Sequence, residues 1–148
     1  MKLNLGCGYR PIEGYVNLDN RQLPGVDVVA DCNERLPFED NTFDEVKASD
    51  FLEHLHNDKR IHIMEEIYRI LKPNGIIDTF TPSTDGRGGD CDPTHYAFWN
   101  EVSFRYYMAG PCRDLYGIKA LFEAIDWRTT PMGGDHICHV IFKGKAIK

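Results

Sequence analysis

The chain has 148 residues, 42% of them hydrophobic and 27% charged, with 23 acidic against 17 basic side chains and a formal charge of −6. An acidic balance without any Lys/Arg run argues against nucleic acid as the main partner, because phosphate binding needs a basic surface. No segment approaches the roughly 18 apolar residues that span a bilayer, so no membrane is expected. The opening Met1-Lys2-Leu3-Asn4 starts no apolar stretch of signal-peptide length. The five cysteines lack regular spacing and read as reduced thiols of a cytoplasmic protein. The length suits one domain, 1–148, with one core.

The first stretch, "LNLGCGYRPIEGYVNLD" (3–19), carries two short strands, Leu3–Leu5 and Tyr15–Leu18. Gly6-Cys7-Gly8 makes a tight turn after the first, and the second ends on Asp19. A nucleotide-binding α/β unit places a helix between such strands and its acid about 20 residues after the glycines. Here the gap holds no room for that helix. Gly6 and Gly8 let backbone approach a ligand closely; the plainer reading of the pair is a turn. Asp19 is placed to accept both hydroxyls of a ribose, or is simply a turn residue before Asn20. Strand Val26–Ala30 follows, ending on Asp31, which is placed to accept from an adenine amino group with the Cys32 backbone beside it. One acid per successive strand end is the crevice layout of an open α/β sheet.

Strand Phe43–Ala48 is next. The clearest helix runs from about Asp58 to Leu71, with Asn57 as N-cap and Ile61, Met64, Ile67, Tyr68 and Leu71 on one face. Lys72-Pro73-Asn74-Gly75 ends it before strand Ile76–Phe80. "STDGRGGDCDP" (83–93) is rich in glycine and reads as a mobile lid. Tyr96, Phe98 and Trp99 then line a substrate pocket or belong to the core. A second helix is expected from near Asn100 to Met108, with Phe104 and Tyr107 inward. Strands Ile118–Thr129 and His136–Lys143 flank a hairpin turn at Thr130–Gly134. The early strands alternate: Leu3 and Leu5 oppose Lys2 and Asn4, and Val26 and Val28 oppose Asp27. The sheet is therefore expected to be well covered on one face only, with loops, a homodimer or a partner chain over the other.

Four stretches resemble the class I S-adenosylmethionine-dependent methyltransferases: "LNLGCG", "VNLD", "VADCNERLPFEDNTFDEVKASDFLEHL" and "EEIYRILKPNGIIDTFTP". The resemblance covers residues 2 to 82. It implies a Rossmann-like α/β fold, a mostly parallel seven-stranded sheet whose C-terminal strand is antiparallel, here with the first crossover helix reduced or absent. It implies S-adenosylmethionine as cofactor, with Gly6, Cys7 and Gly8 against its methionine part and Asp19 on the ribose. Asp31 and Cys32 would meet the adenine amino group, Leu36 would pack on the adenine ring, and Ser49 and Asp50 would border the amino acid and the methyl group. Methyl transfer needs an in-line nucleophile and a dry site, plus a base only where the nucleophile is protonated. His54 and His95 are the candidates for that base; the plainer readings are a capping residue for His54 and a lid residue for His95. No His/Cys group has the paired spacing of a structural zinc site, so no metal is expected. The expected activity is methyl transfer to a small molecule, such as a sugar or glycan precursor. The alternative is a non-catalytic cofactor-binding sensor or partner subunit. A nicotinamide-dependent oxidoreductase is disfavoured by the missing third glycine and crossover helix.

Overall fold

The computed structural model describes residues 1–148. Seven strands form one sheet: β1 (Lys2–Leu5), β2 (Val16–Asp19), β3 (Val28–Val29), β4 (Phe43–Ser49), β5 (Leu71–Pro82), β6 (Phe122–Thr129) and β7 (His139–Ala146). Their order is β3-β2-β1-β4-β5-β7-β6. The first five are parallel; β7 runs antiparallel between β5 and β6. This is the sheet the resemblance implies.

Two expectations about the strands need correction. Strand β3 keeps two residues of the expected Val26–Ala30, because Asp27 turns its carboxylate onto the backbone N–H of Asn17 (2.7 Å). The hairpin loop runs longer than Thr130–Gly134: β6 ends at Thr129 and β7 starts only at His139.

The main helix, α1 (Arg60–Ile70), follows a 3-10 turn at Asn57–Lys59. Asn57 makes no side-chain cap. The buried face is Ile63, Met64, Ile67 and Ile70, while Ile61 is 44% exposed. Leu71 is already extended (ψ 142°) and opens β5 by pairing with Phe43. The Lys148 ammonium reaches the carbonyls of Arg69 and Leu71 at the end of α1, where a cation suits the helix dipole. Glu101–Tyr107 is a 3-10 segment with an Asn100/Ser103 capping box, and Phe104 and Tyr107 point inward as expected. A one-turn helix, α2 (Pro111–Leu115), was not anticipated; Gly110 at φ 152° lets Pro111 start it. No helix is long and apolar enough to cross a membrane.

The registers sort the strands into two faces. Leu3, Val46 and Ile77 are lateral neighbours, as are Leu5, Ala48, Thr79 and Phe142. Helix α1, Trp99 and the 3-10 segment cover that face. Phe104 stacks on Phe142 (4.7 Å) and on Trp99 (5.2 Å). The opposite face has no helix. Its C-terminal strands carry Lys143 beside Asp78 (3.9 Å), Lys145 on Glu123 (2.6 Å) and Arg128 on Asp126 (3.0 Å). Near the N-terminus Lys2 meets Glu45 at 2.9 Å. Solvated ion pairs, rather than a large apolar patch, occupy the uncovered side.

Where a crossover helix would lie between β1 and β2, the loop 9–15 is pinned by two buried asparagines. Asn4 and Asn17 are register neighbours on the uncovered face. The Asn17 amide donates to the carbonyls of Ile12 (3.2 Å) and Tyr15 (3.1 Å) and accepts from Ile12 N–H (2.7 Å). Asn4 donates to Arg10 O (3.1 Å) and to Asn17 Oδ1 (3.0 Å). The two side chains supply the partners that helical hydrogen bonds would have given this backbone.

Candidate active site

A cleft of about 820 Å³ opens at the C-terminal ends of β1, β2, β3 and β4, the usual ligand position in an open α/β sheet. Eight of the nine residues assigned above to cofactor contact line it: Gly6, Cys7, Gly8, Asp19, Asp31, Cys32, Ser49 and Asp50. Leu36 does not; it is 1% exposed, buried in the core, with its N–H donating to Glu66 (2.8 Å). His54 lines the cleft and His95 lies outside the lining. Sequence reading missed Arg10, Arg21, Lys47 and Phe51, which also line it, as does Tyr96, one of the three aromatic residues expected in a substrate pocket or the core. The one available signal was Lys47: a lysine among the apolar residues of β4, alternating toward the uncovered face.

The glycine loop is shaped by two left-handed residues, Gly6 (φ 66°) and Gly8 (φ 52°). A Cβ on Gly6 would lie 1.9 Å from the Phe51 ring, so the position requires glycine twice over, by conformation and by space. Gly8 N–H donates to Asp19 Oδ2 (2.8 Å), which ties the loop to the end of β2. Asp19 Oδ1 accepts from the backbone N–H and the Nε of Arg21 (3.0 and 3.1 Å). Burial pushes the Asp19 carboxyl up, but the bonds from Gly8 and Arg21 outweigh it and leave it below the ordinary carboxylate value. The carboxylate is thus ionised and partly spoken for. Oδ2 keeps a free acceptor site, and the exposed Arg21 arm must share Oδ1 with any incoming hydroxyl.

Asp31 accepts at Oδ1 from both nitrogens of Asn33 (2.9 Å each), which depress its carboxyl; Oδ2 has no protein partner. Burial pushes the Cys32 thiol up to about 12 and also raises that of Cys7. Neither is a thiolate at neutral pH, which removes both as nucleophiles. Asp50 is held at φ 49°, an uncommon conformation for a non-glycine. Its carboxylate faces Arg10 (3.2 Å) and His139 (3.9 Å). Lys47 lines the cleft without an ion-pair partner, unlike Arg10 and Arg21.

The histidines are positioned by carbonyls. His54 Nδ1 lies 3.1 Å from Thr94 O, and His95 Nδ1 lies 3.0 Å from Gly88 O. A carbonyl only accepts, so each Nδ1 carries a proton, and in the neutral ring the lone pair is on Nε2. The expected mobile lid is stitched down. Ser83 N–H donates to Cys138 O (2.9 Å), Arg87 N–H to His136 O (2.8 Å) and Thr84 N–H to Trp99 O (2.9 Å). A Cβ on Gly86 would meet His136 O at 2.7 Å, and one on Gly88 would meet Ile137 at 2.9 Å. These glycines serve close packing, which composition alone does not distinguish from mobility. Trp99 is core, donating to Leu52 O (3.2 Å), whereas Tyr96 borders the cleft.

Residues 3–77 match the family model described as "Methyltransferase domain". No curated protein matches with significance. Among solved structures, the chain resembles a SAM-dependent methyltransferase from Methanosarcina mazei at 16% identity, covering 99% of this chain and 92% of that one, with TM-score 0.69. It also resembles the 1,6-didemethyltoxoflavin-N1-methyltransferase of Burkholderia thailandensis, solved with 1,6-didemethyltoxoflavin and S-adenosylhomocysteine, at 15% identity, 99% and 71% coverage and TM-score 0.68. A third likeness is to a chain in the Haloferax volcanii complex of the Trm112 methyltransferase activator with a proposed methyltransferase, at 15% identity, 99% and 82% coverage and TM-score 0.64. At these identities the likeness establishes the fold.

Proposed function

The chain belongs to the class I S-adenosylmethionine-dependent methyltransferase family, and we propose that it transfers a methyl group from that cofactor to a small-molecule acceptor in the cleft described above. The observation that carries this reading is the lock between Gly8 N–H and Asp19 at 2.8 Å. It sets the glycine loop and the ribose-binding acid against one cavity, with Asp31 on the next strand end.

The donor and acceptor set fits the cofactor. Asp19 Oδ2 and Asp31 Oδ2 have acceptor sites free for hydroxyl and amino donors, and the unpaired Lys47 ammonium suits a carboxylate. The volume of about 820 Å³ lies within the range of ligand clefts and leaves space for a small acceptor beside a nucleoside-sized ligand. When bound, S-adenosylmethionine supplies a methyl group already activated by a sulfonium charge. The protein's own task is placement and exclusion of water. Tyr96 and Thr94 line one side of the cleft, and His54, Asp31 and Asp50 are lining residues able to take a proton from an acceptor hydroxyl. The His95 ring packs edge-to-face against that of His54, centroids 5.0 Å apart. The acidic chain and its five unpaired cysteines suit a cytoplasmic small-molecule enzyme.

Calorimetry with S-adenosylmethionine and S-adenosylhomocysteine tests the reading. Micromolar binding that Asp19→Ala weakens tenfold or more, about 1.4 kcal/mol, is expected. Absence of binding by folded protein overturns it.

A further inference from the structure

Glu53, His54 and His95 form a cluster that the cofactor reading leaves unused in part. Their ligand atoms lie within 4.8 Å of one another. They come from two separate segments: Glu53 and His54 from the 3-10 turn after β4 (Leu52–His54), His95 from the stitched segment after β5. Glu53 is 1% exposed, and the hydrogen bond to its carboxylate comes from the Thr81 hydroxyl (2.5 Å). A charged carboxylate kept in a core with one hydroxyl donor is costly unless it is protonated or a cation shares it.

Both imidazoles make the outer contact typical of a metal ligand, and Asp92 lies 3.9 Å from His95 Nε2. Each Nδ1–H is committed to a backbone carbonyl, Thr94 O or Gly88 O, the outer-shell bond that fixes the tautomer of a ligating histidine and leaves Nε2 to bind. The rings sit 5.0 Å apart at 75°. Two imidazoles bound at about 2.1 Å to one tetrahedral ion have centroids roughly 5 Å apart. The segment is also drawn onto Glu53 by its backbone, since Tyr96 N–H (2.8 Å) and Ala97 N–H (3.0 Å) both donate to Glu53 O.

We propose that Glu53, His54 and His95 bind one divalent transition-metal ion of the Zn²⁺ or Mn²⁺ class at the rim of the cleft. Two neutral imidazoles and one carboxylate are a donor set for such ions, and three protein ligands leave a coordination position open. His54 is the ligand that lines the cleft, so the ion borders the place where an acceptor enters. The ion also clamps the 83–99 segment to the end of β4. The metal role and the proton-accepting role of His54 exclude each other, because a coordinated lone pair takes no proton.

The site is independent of the cofactor, so its test is too. Protein dialysed against a chelator is titrated with Zn²⁺ and separately with Mn²⁺ by calorimetry, with circular dichroism to verify the fold. One ion per chain at micromolar or tighter affinity is expected, weakened at least tenfold by His54→Ala, by His95→Ala and by Glu53→Gln. Because Glu53 is buried, His54→Ala on the exposed side keeps the test decisive if Glu53→Gln misfolds. The wild-type thermal midpoint should rise with Zn²⁺, and the rise should vanish in His95→Ala. No stoichiometric uptake by folded protein overturns the proposal. So does uptake that the histidine variants leave unchanged, which would place the ion elsewhere.

Discussion

The two faces of the sheet are held by different physics. On the covered face, Phe142 lies between Phe104 and Phe122, and Leu3, Leu5, Val46 and Ile77 are inaccessible to water. There the stabilisation scales with buried apolar area, at about 25 cal/mol per Å². On the uncovered face the same strands carry Lys143, Lys145, Asp78 and Glu123, whose pairs are solvated and individually weak. The exception is the corner over β1 and β2, where Asn4 and Asn17 are buried and hydrogen-bonded to each other and to the loop. A sheet can dispense with helices on one side when that side is charged along the strands and when the loop replacing a helix has side-chain partners.

The sharpest break of this comparison is Phe142→Ala, expected to cost about 3–5 kcal/mol in denaturant unfolding, from lost burial and the cavity left behind. Ligand affinity in the folded fraction should be unchanged. Asn17→Ala comes next, at about 2–4 kcal/mol, because it strands Ile12 N–H and the Tyr15 carbonyl and removes the acceptor of the Asn4 amide. Unlike Phe142→Ala it should also weaken S-adenosylhomocysteine binding, because the pinned loop continues from Gly8. A smaller effect appears in the pH profile. Asp19 is held below its ordinary value in the folded chain, so its stabilisation is complete above the ordinary carboxylate range, near pH 4, and is lost as pH falls through the depressed folded value. Asp19→Asn should therefore be less stable at pH 7, with the gap to wild type closing as pH falls through the depressed folded value. The smallest effect is Lys145→Ala on the uncovered face, expected to move the thermal midpoint by about 2 °C or less and to lower its salt dependence. A loss there as large as for Phe142→Ala would refute the division between the faces.

Much of this architecture was readable in the sequence. Period-two alternation in β1 and β2 reports the two faces directly, and the ten residues between Leu5 and Val16 rule out a full crossover helix. Gly6, Gly8, Asp19 and Asp31 were recognisable because each occupies a strand end. Other features depended on partners distant in the chain. Ile61 and Ile63 are both apolar, and only the docking of α1 decides which is inward. Leu36 looked like a ring-stacking residue until Glu66 was seen to draw its backbone into the core. Gly86 and Gly88 read as mobile because the residues they pack against, 136–138, lie about fifty positions away. Asn17 read as a strand residue, since nothing local reveals that its amide holds a loop. The Glu53, His54 and His95 cluster has no spacing motif, because its third member arrives from another loop.

The pinned loop also bears on the order in which the chain assembles. Asn4 and Asn17 are thirteen residues apart, whereas Thr79 meets Phe142 across sixty-three. Parallel pairing is slow in most α/β proteins because a long crossover must close first. Here the β1–β2 pair closes over a short span, and its contact order is low. The β6–β7 hairpin, joined through 130–138, is just as local. Each end of the sheet therefore holds a pair that closes over a short span, and the long-range pairing of β5 with β7 joins them at greater entropic cost.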